Sequence, residues 1–501
     1  MKKTLLAIAV LGLGAAAASP YLIGSQIEKT ARQQIERANQ QLVTAVKSNP
    51  QFQDASITVE SYEKGYMKST AKTLLSLAVN LPGQAEPKVF DVPLNSEISH
   101  GPYLGDAGFG AAKIISHPDV SGLELPEAIT NETLTIENLV SFSGAMDQKA
   151  TVAPIKYAAE DGTMFDFAGA TIVSEASLEN RSTFTGEMDV QQLIVSTEDE
   201  PNQFVLKPFK MDLKGKGDDS LMKGDYEIKS GAIEATIGDD GSLVMQSMEM
   251  AGTYAQAKGA DMMIGEANGV FKDIVFTNKQ LSPDPIKLPE LSVMTNMSQP
   301  DGTDLDINVK YAAILDSSLM AIMQSPVDVK TADLEVSFKA LPIEAVQKYQ
   351  DLMGDLASEK DQNKAAENMQ GELFSILQML TKNASATHLE LHAKSDAGDL
   401  NADIDAGFKP GLDLSEQELM MLMGSADPQK LLSVLVGRGN IDLNKGITDK
   451  AGMTPMIQIM AADFVTLEGD IFKSELQISD GQLLVNGSPL PFLAPPTGMG
   501  Q

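Results

Sequence analysis

Cysteine is absent from the sequence, and with it go disulfides, thiolate metal sites and cysteine nucleophiles. The fold must therefore be held by its core rather than by cross-links. Tryptophan is absent too. Positive charge is scarce: 38 Lys and Arg stand against 69 Asp and Glu, a formal net charge of −31. A body so acidic repels phosphate backbones and anionic headgroups, which argues against nucleic acid as a partner. Catalytic fingerprints are missing as well. There is no Walker loop, no HExxH, no GxSxG and no dinucleotide-binding glycine pattern. "KGKGDDS" around Lys216 has the glycines of a phosphate loop without their order. The expectation is a protein that is not an enzyme and carries no cofactor. Past residue 24 no apolar run reaches about 18 residues, so at most one membrane crossing is expected.

That one run is present. Leu5 to Gly24 is apolar apart from Ser19, and Lys2 and Lys3 precede it. Twenty residues at about 1.5 Å each span roughly 30 Å, the hydrocarbon thickness of a bilayer. Leu5, Leu6, Ile8, Val10, Leu11, Leu13, Leu22 and Ile23 are the expected membrane-facing residues. "AAAAS" (Ala15–Ser19) offers a leader-peptidase site, so cleavage after Ala18 is the alternative. Retention is favoured because the run continues past that site and Pro20 follows it. Ile27, Ala31, Ile35, Ala38, Leu42 and Val46 then recur every three or four residues, which predicts an amphipathic helix over 25–48. The two leading lysines place the N-terminus in the cytoplasm and the body outside it.

Apolar residues make up 43% and charged residues 21% of the 501, ordinary values for a globular chain long enough for two or more domains. Residues 49–340 read as strands. Tyr226 and Ile228 alternate with charged residues, as do Ile233, Ala235 and Ile237, and such alternation means one buried and one wet face. Asp161-Gly162 and Asp240-Gly241 are hairpin dipeptides. Residues 341–440 turn helix-rich around one strand, "ATHLELHAKS". "PIEAVQKYQDLMGDLASEK" carries an apolar stripe of Ile343, Val346, Tyr349, Leu352 and Met353, and "NKAAENMQGELFSILQMLTKN", "SEQELMMLMGS" and "DPQKLLSVLVG" follow as helices. Ser415 and Glu418 form a capping box. Residues 441–501 should hold a helix at "TPMIQIMAADFVTL", a hairpin about Asp480-Gly481 and a loose tail. The expected fold class is α+β: large curved antiparallel sheet behind an N-terminal transmembrane helix, with helices inserted in the C-terminal third.

Three stretches carry a resemblance. "SYEKGYMKS" (Ser61–Ser69), "ISHGPYL" (Ile98–Leu104) and "DGQLLVNGSPLPF" (Asp480–Phe492), behind an apolar N-terminal helix, resemble the YdgA-like family, bacterial proteins that carry a domain of unknown function. The resemblance implies a Gram-negative inner-membrane anchor with a periplasmic body, and it supplies no catalytic residues. The motif positions Tyr62, Gly65, His100, Gly101, Pro102, Asp480, Gly481, Asn486 and Gly487 are expected to be structural. A looser similarity to AsmA-like envelope proteins, with β-rich lipid grooves, is one of architecture only.

Of the candidate sites, His100 is expected at a turn made by Gly101-Pro102, its imidazole bonded to nearby backbone. The competing reading makes it a general base. His117 is expected in a loop. In "HLELH", Leu389 and Leu391 alternate with His388, Glu390 and His392, so the segment reads as a strand, where two histidines four apart span about 13 Å and cannot share one ion. Met420, Met421, Met423, Met453, Met456 and Met460 are expected to pack helices onto the sheet, with acyl-chain or partner binding as the functional alternative. Taken together, the sequence points to a membrane-anchored envelope protein that binds a lipid or another envelope protein. An exported hydrolase built on His100 and carboxylates, or a scaffold for an envelope complex, are the alternatives.

Overall fold

The computed structural model of the chain describes residue 39 and residues 52–490, apart from short segments at 81–86, 124, 160, 178–182, 199–201, 218–221, 261, 359–361 and 424–427. The expected anchor, Leu5 to Ile23, lies outside the described residues, and so does the expected helix over 25–48 except for Asn39, which is helical. Among the described residues no helix is long and apolar enough to cross a membrane. The chain parts into two compact units, Met1–Asp239 and Asp240–Gln501. Both are antiparallel sheet, with few helices, so the α+β class with large sheet holds.

In the first unit the strands Phe52–Glu63, Lys68–Val79, Lys88–His100, Ala112–Pro118, Leu134–Val140 and Ala145–Val152 pair in chain order. Alternation decides which face goes inside. Ala71, Thr73, Leu75 and Leu77 are buried on one side of Lys68–Val79, while their neighbours reach the surface. Ile57, Leu75, Leu77, Val92, Ile98 and Ile114 are at most 2% exposed. Burying such a side chain stabilises by about 1.5–3 kcal/mol. Among the described residues the connection between Pro118 and Leu134 packs on them: Leu123 and Leu125 meet this cluster, and Leu125 and Ala128 meet the next one, to which Ile129 belongs. His117 is not in a loop. It sits in the strand Ala112–Pro118 opposite Asn95, because Pro118 ends that strand rather than preventing it. Asn39 closes the edge: its side-chain amide donates to Ile57 O at 2.9 Å and its Oδ1 accepts from Ile57 N at 2.7 Å. One carboxamide thus replaces a missing strand at that position.

In the second unit the strands from Met263–Asn278 through Ile286–Ser298, Asp304–Ile314, Val329–Pro342, Ala386–Ser395, Gly398–Phe408, Leu435–Asn444 and Ile471–Ser479 pair in order. The helices are insertions in these hairpin connections, and the strands they separate stay paired. Ile343–Ser358 and Gln362–Lys382 connect Val329–Pro342 to Ala386–Ser395, and Glu416–Met423 and Pro428–Ser433 connect Gly398–Phe408 to Leu435–Asn444. All four therefore enter at the same end of the strands. The capping box at Ser415 is present: Glu418 Oε2 accepts from Ser415 N at 2.8 Å and Ser415 Oγ accepts from Glu418 N at 3.3 Å. Two helices are shorter than their apolar spacing predicts. The segment after Pro428 turns to strand at Leu435, because Leu435 to Leu443 pair with Phe408 to Leu400. The helix Thr454–Met460 stops before the short strand Thr466–Glu468, which pairs with Ile471–Ser479.

Candidate functional site

The two faces of the second unit's sheet differ in chemistry. Reading straight across four neighbouring strands, Val309, Val336, Leu389 and Ile404 stand in register. The next rung is Tyr311, Leu334, Leu391 and Ala402. Directly paired residues share a face, so these rungs form one continuous apolar surface. In a core it would be sealed. Here Val309, Val336, Leu389, Ile404, Leu334 and Leu391 are all only partly buried, and Tyr311 is 45% exposed. Only Ala402 of these two rungs is buried. Among the described residues the helix Ile343–Ser358 packs at the strand ends through Ile343 and Val346, beside Leu341, on the cluster of Leu305, Met262 and Ala257.

The opposite face carries the alternate residues, and they are polar. Asn308, Ser337, His388, Asp405 and Arg438 stand in one rung. Asn308 Nδ2 donates to Ser337 Oγ at 2.7 Å and to Glu335 Oε1 at 2.6 Å. His388 Nδ1 lies 2.9 Å from Asp405 Oδ1 and 3.6 Å from Asp403 Oδ1, and Arg438 Nε donates to Asp405 Oδ2 at 3.0 Å. The Arg438 hydrogen bond, with help from His388, holds the Asp405 carboxyl below the usual carboxylate range. His388, Asp403 and Asp405 have the spacing of a metal-ligand triad, but the guanidinium already occupies one Asp405 oxygen and its charge opposes a cation. His388 and His392 do lie on a strand, and they serve different partners. His392 bonds Asn401 Oδ1 at 2.8 Å and Glu390 Oε1 at 2.6 Å. The bond to Asn401, then that to Glu390, raises His392 above the ordinary histidine value. Asp403, Asp405 and Asn401 were invisible as partners in the sequence, because only strand register brings them beside the histidines.

The N-terminal motif residues meet at one end of the first unit. His100 Nε2 lies 2.8 Å from Ser69 Oγ, which also accepts from Gly65 N at 3.2 Å. The imidazole therefore bonds a side chain of the other motif, not neighbouring backbone as expected. A serine and a histidine at this distance have the separation of a nucleophile and its base. Ser69, however, is 2% exposed, and the pair ties two strand ends. The glycines answer to backbone crowding. A Cβ on Gly101 would lie 1.9 Å from Gly110 O, and one on Gly65 would lie 2.0 Å from Lys68 O. The Gly101-Pro102 peptide is cis. Tyr62 packs on the core cluster, and its hydroxyl is buried without a partner among the described residues.

The C-terminal motif is two consecutive tight turns. Asp480 and Gly481 both have positive φ, 53° and 76°, and join Ser479 to Gln482. Asn486 and Gly487, at 48° and 75°, join Val485 to Ser488. Two positive φ values in a two-residue loop are the type I′ hairpin, which Asp-Gly and Asn-Gly adopt at least cost. Both turns thus have the backbone geometry that their residue types favour.

Four of the six methionines do not pack the helices onto the sheet as expected: Met420, Met421, Met453 and Met456 are exposed, while Leu419 is buried. Met423 and Met460 lie outside the described side chains. In the helix Ile343–Ser358, Leu352 is buried, whereas Tyr349 and Met353, expected on the same stripe, are half exposed.

No curated protein and no solved structure matches this chain. A family model does, over residues 1–492. The chain belongs to that family, described as a bacterial protein of unknown function (DUF945).

Proposed function

We propose that this protein is a non-enzymatic, inner-membrane-anchored envelope protein whose periplasmic body binds the acyl chains of a lipid along the apolar face of its second unit. The observation that carries the reading is the open rung Val309, Val336, Leu389 and Ile404: aliphatic, continuous across four strands and only partly buried. Leaving apolar surface in water costs about 25 cal/mol per Å², and an acyl chain laid along the rungs removes that cost. A sheet that curves round the chain would complete the groove. The apolar run Leu5–Gly24 behind two lysines supports a location at the membrane, as does the YdgA-like resemblance of the end motifs.

Lipid is favoured over a protein strand because the central rungs offer aliphatic surface rather than hydrogen-bonding side chains. The test compares full-length protein with the V336E/L389E variant, both purified in the same detergent, with bound phospholipid extracted and quantified by mass spectrometry. The anchor contributes the same background to both. A several-fold lower lipid content in the variant is expected. Equal content in a variant with unchanged circular dichroism would refute the reading.

A further inference from the structure

Between Phe52 and Val152 six large apolar side chains are exposed among the described residues, and five of them crowd one end of the strands. Tyr66 and Met67 occupy the turn after Glu63, Tyr103 and Phe109 the loop after His100, and Phe142 the turn after Val140. These three connections are neighbours: His100 N donates to Met67 O at 2.9 Å, and Ala111 N donates to Val140 O at 2.8 Å. The middle loop is held firmly. Leu104 N donates to Gly108 O at 2.8 Å and Gly110 N to Pro102 O at 3.1 Å, and the Tyr103 and Phe109 rings meet edge to face at 5.6 Å. Tyr66 is 96% and Phe109 77% exposed. Such rings on rigid backbone have no role in the core.

The charge at this end also departs from the rest of the chain. Lys64 and Lys68 flank Tyr66, and both are exposed. Glu63 and Asp106 are the exposed acids of these connections, so the end is close to neutral in a protein whose formal net charge is −31. Aromatic residues with lysine beside them are the composition of a membrane–water interface.

The apolar run is within reach of this end. Asn39 is fixed against Ile57, and from Ile57 the strand runs six more residues to Glu63, about 20 Å. The fifteen residues of chain between Gly24 and Asn39 can span up to roughly 50 Å.

We propose that the loop end carrying Tyr66, Met67, Tyr103, Phe109 and Phe142 is a membrane-contact surface that seats in the headgroup region of the bilayer holding the apolar run. It rests on the membrane-anchored reading above. Because the sequence has no tryptophan, one introduced indole reports its own depth. Full-length F109W, V89W and L11W proteins are reconstituted in vesicles of phosphatidylethanolamine with a minority of phosphatidylglycerol, and indole emission is measured with lipids brominated at shallow and deep positions. Val89 is the sixth exposed residue and lies at the opposite strand end. The expected result is F109W quenched by roughly half or more by shallow bromines, as for an indole at headgroup level, L11W quenched by deep ones, and V89W unaffected. Quenching of L11W with F109W no more quenched than V89W overturns the contact surface and leaves the anchor standing, the end then being free for a protein partner. Equal quenching of V89W and F109W also overturns it. An unquenched L11W removes the anchored reading itself.

Discussion

Val336 and Leu389 stand opposite one another on neighbouring strands, both on the apolar side of the second unit's sheet, and neither is buried. Leu75 and Val92 make the same kind of cross-strand pair in the first unit and are 0% and 1% exposed. The two pairs have equivalent chemistry and different cover, since the connection carrying Leu123 and Leu125 lies over the first unit's core.

That difference should appear in stability. Leu75→Ala deletes buried methyl groups and leaves a cavity, which costs about 2–5 kcal/mol. Leu389→Ala removes a side chain already part-solvated and should cost about 1 kcal/mol or less. Urea titrations followed by circular dichroism measure both. Equal losses would mean that the face around Leu389 is as well covered as the core.

The two glycines of the N-terminal motifs should be irreplaceable for steric reasons. Gly101→Ala drives a Cβ to 1.9 Å from Gly110 O, so backbone must move. Gly122 has open space around its would-be Cβ. Gly101→Ala is expected to lower the melting temperature by the equivalent of about 2 kcal/mol or more, and Gly122→Ala to stay within about 0.5 kcal/mol.

The polar face should titrate. His392 is raised from 6.5 by its hydrogen bonds to Asn401 and Glu390, and Glu390 is lowered from 4.5 chiefly by its hydrogen bond with His392. A raised histidine contributes stability that is full below pH 6.5 and lost as pH rises through its folded value. A lowered glutamate contributes above pH 4.5 and loses it as pH falls through its folded value. The pair is therefore worth most between those limits. Both groups are largely solvated, so the effect on unfolding is small. An NMR titration of the His392 ring should give a midpoint above 6.5 that moves down, without reaching 6.5, in Glu390→Gln, where Asn401 still accepts.

Asn138 is 0% exposed, and neither its Nδ2 nor its Oδ1 has a partner among the described residues. A buried unpaired amide costs about 1–3 kcal/mol. Asn138→Leu, close in volume, should raise the melting temperature, whereas a fall would show that the carboxamide is bonded in solution.

Much of this architecture was legible because its signals are local. Alternation found the strands, the inserted helices followed from the change of period after Ala340, and Ser415 with Glu418, and Asp480 with Gly481, marked a helix start and a hairpin. What alternation cannot supply is cover. Leu75 and Leu389 read alike, and only a connection far along the chain decides which is sealed. Register is equally non-local: His388 meets Asp405 across a turn at Gly398. Met420 and Met456 have helical spacing, but their short helices leave them in solvent. His117 was misplaced because a following proline signals loop, while here it closes a strand.

The most direct measurement is site-specific photo-crosslinking of the full-length protein in growing cells, with a photoreactive amino acid at Leu389 or at its strand neighbour Glu390. The two point to opposite faces of one sheet. Lipid adducts, identified by mass spectrometry, should form at position 389 and not at 390. Adducts at neither position, or equally at both, would contradict an apolar face that holds lipid.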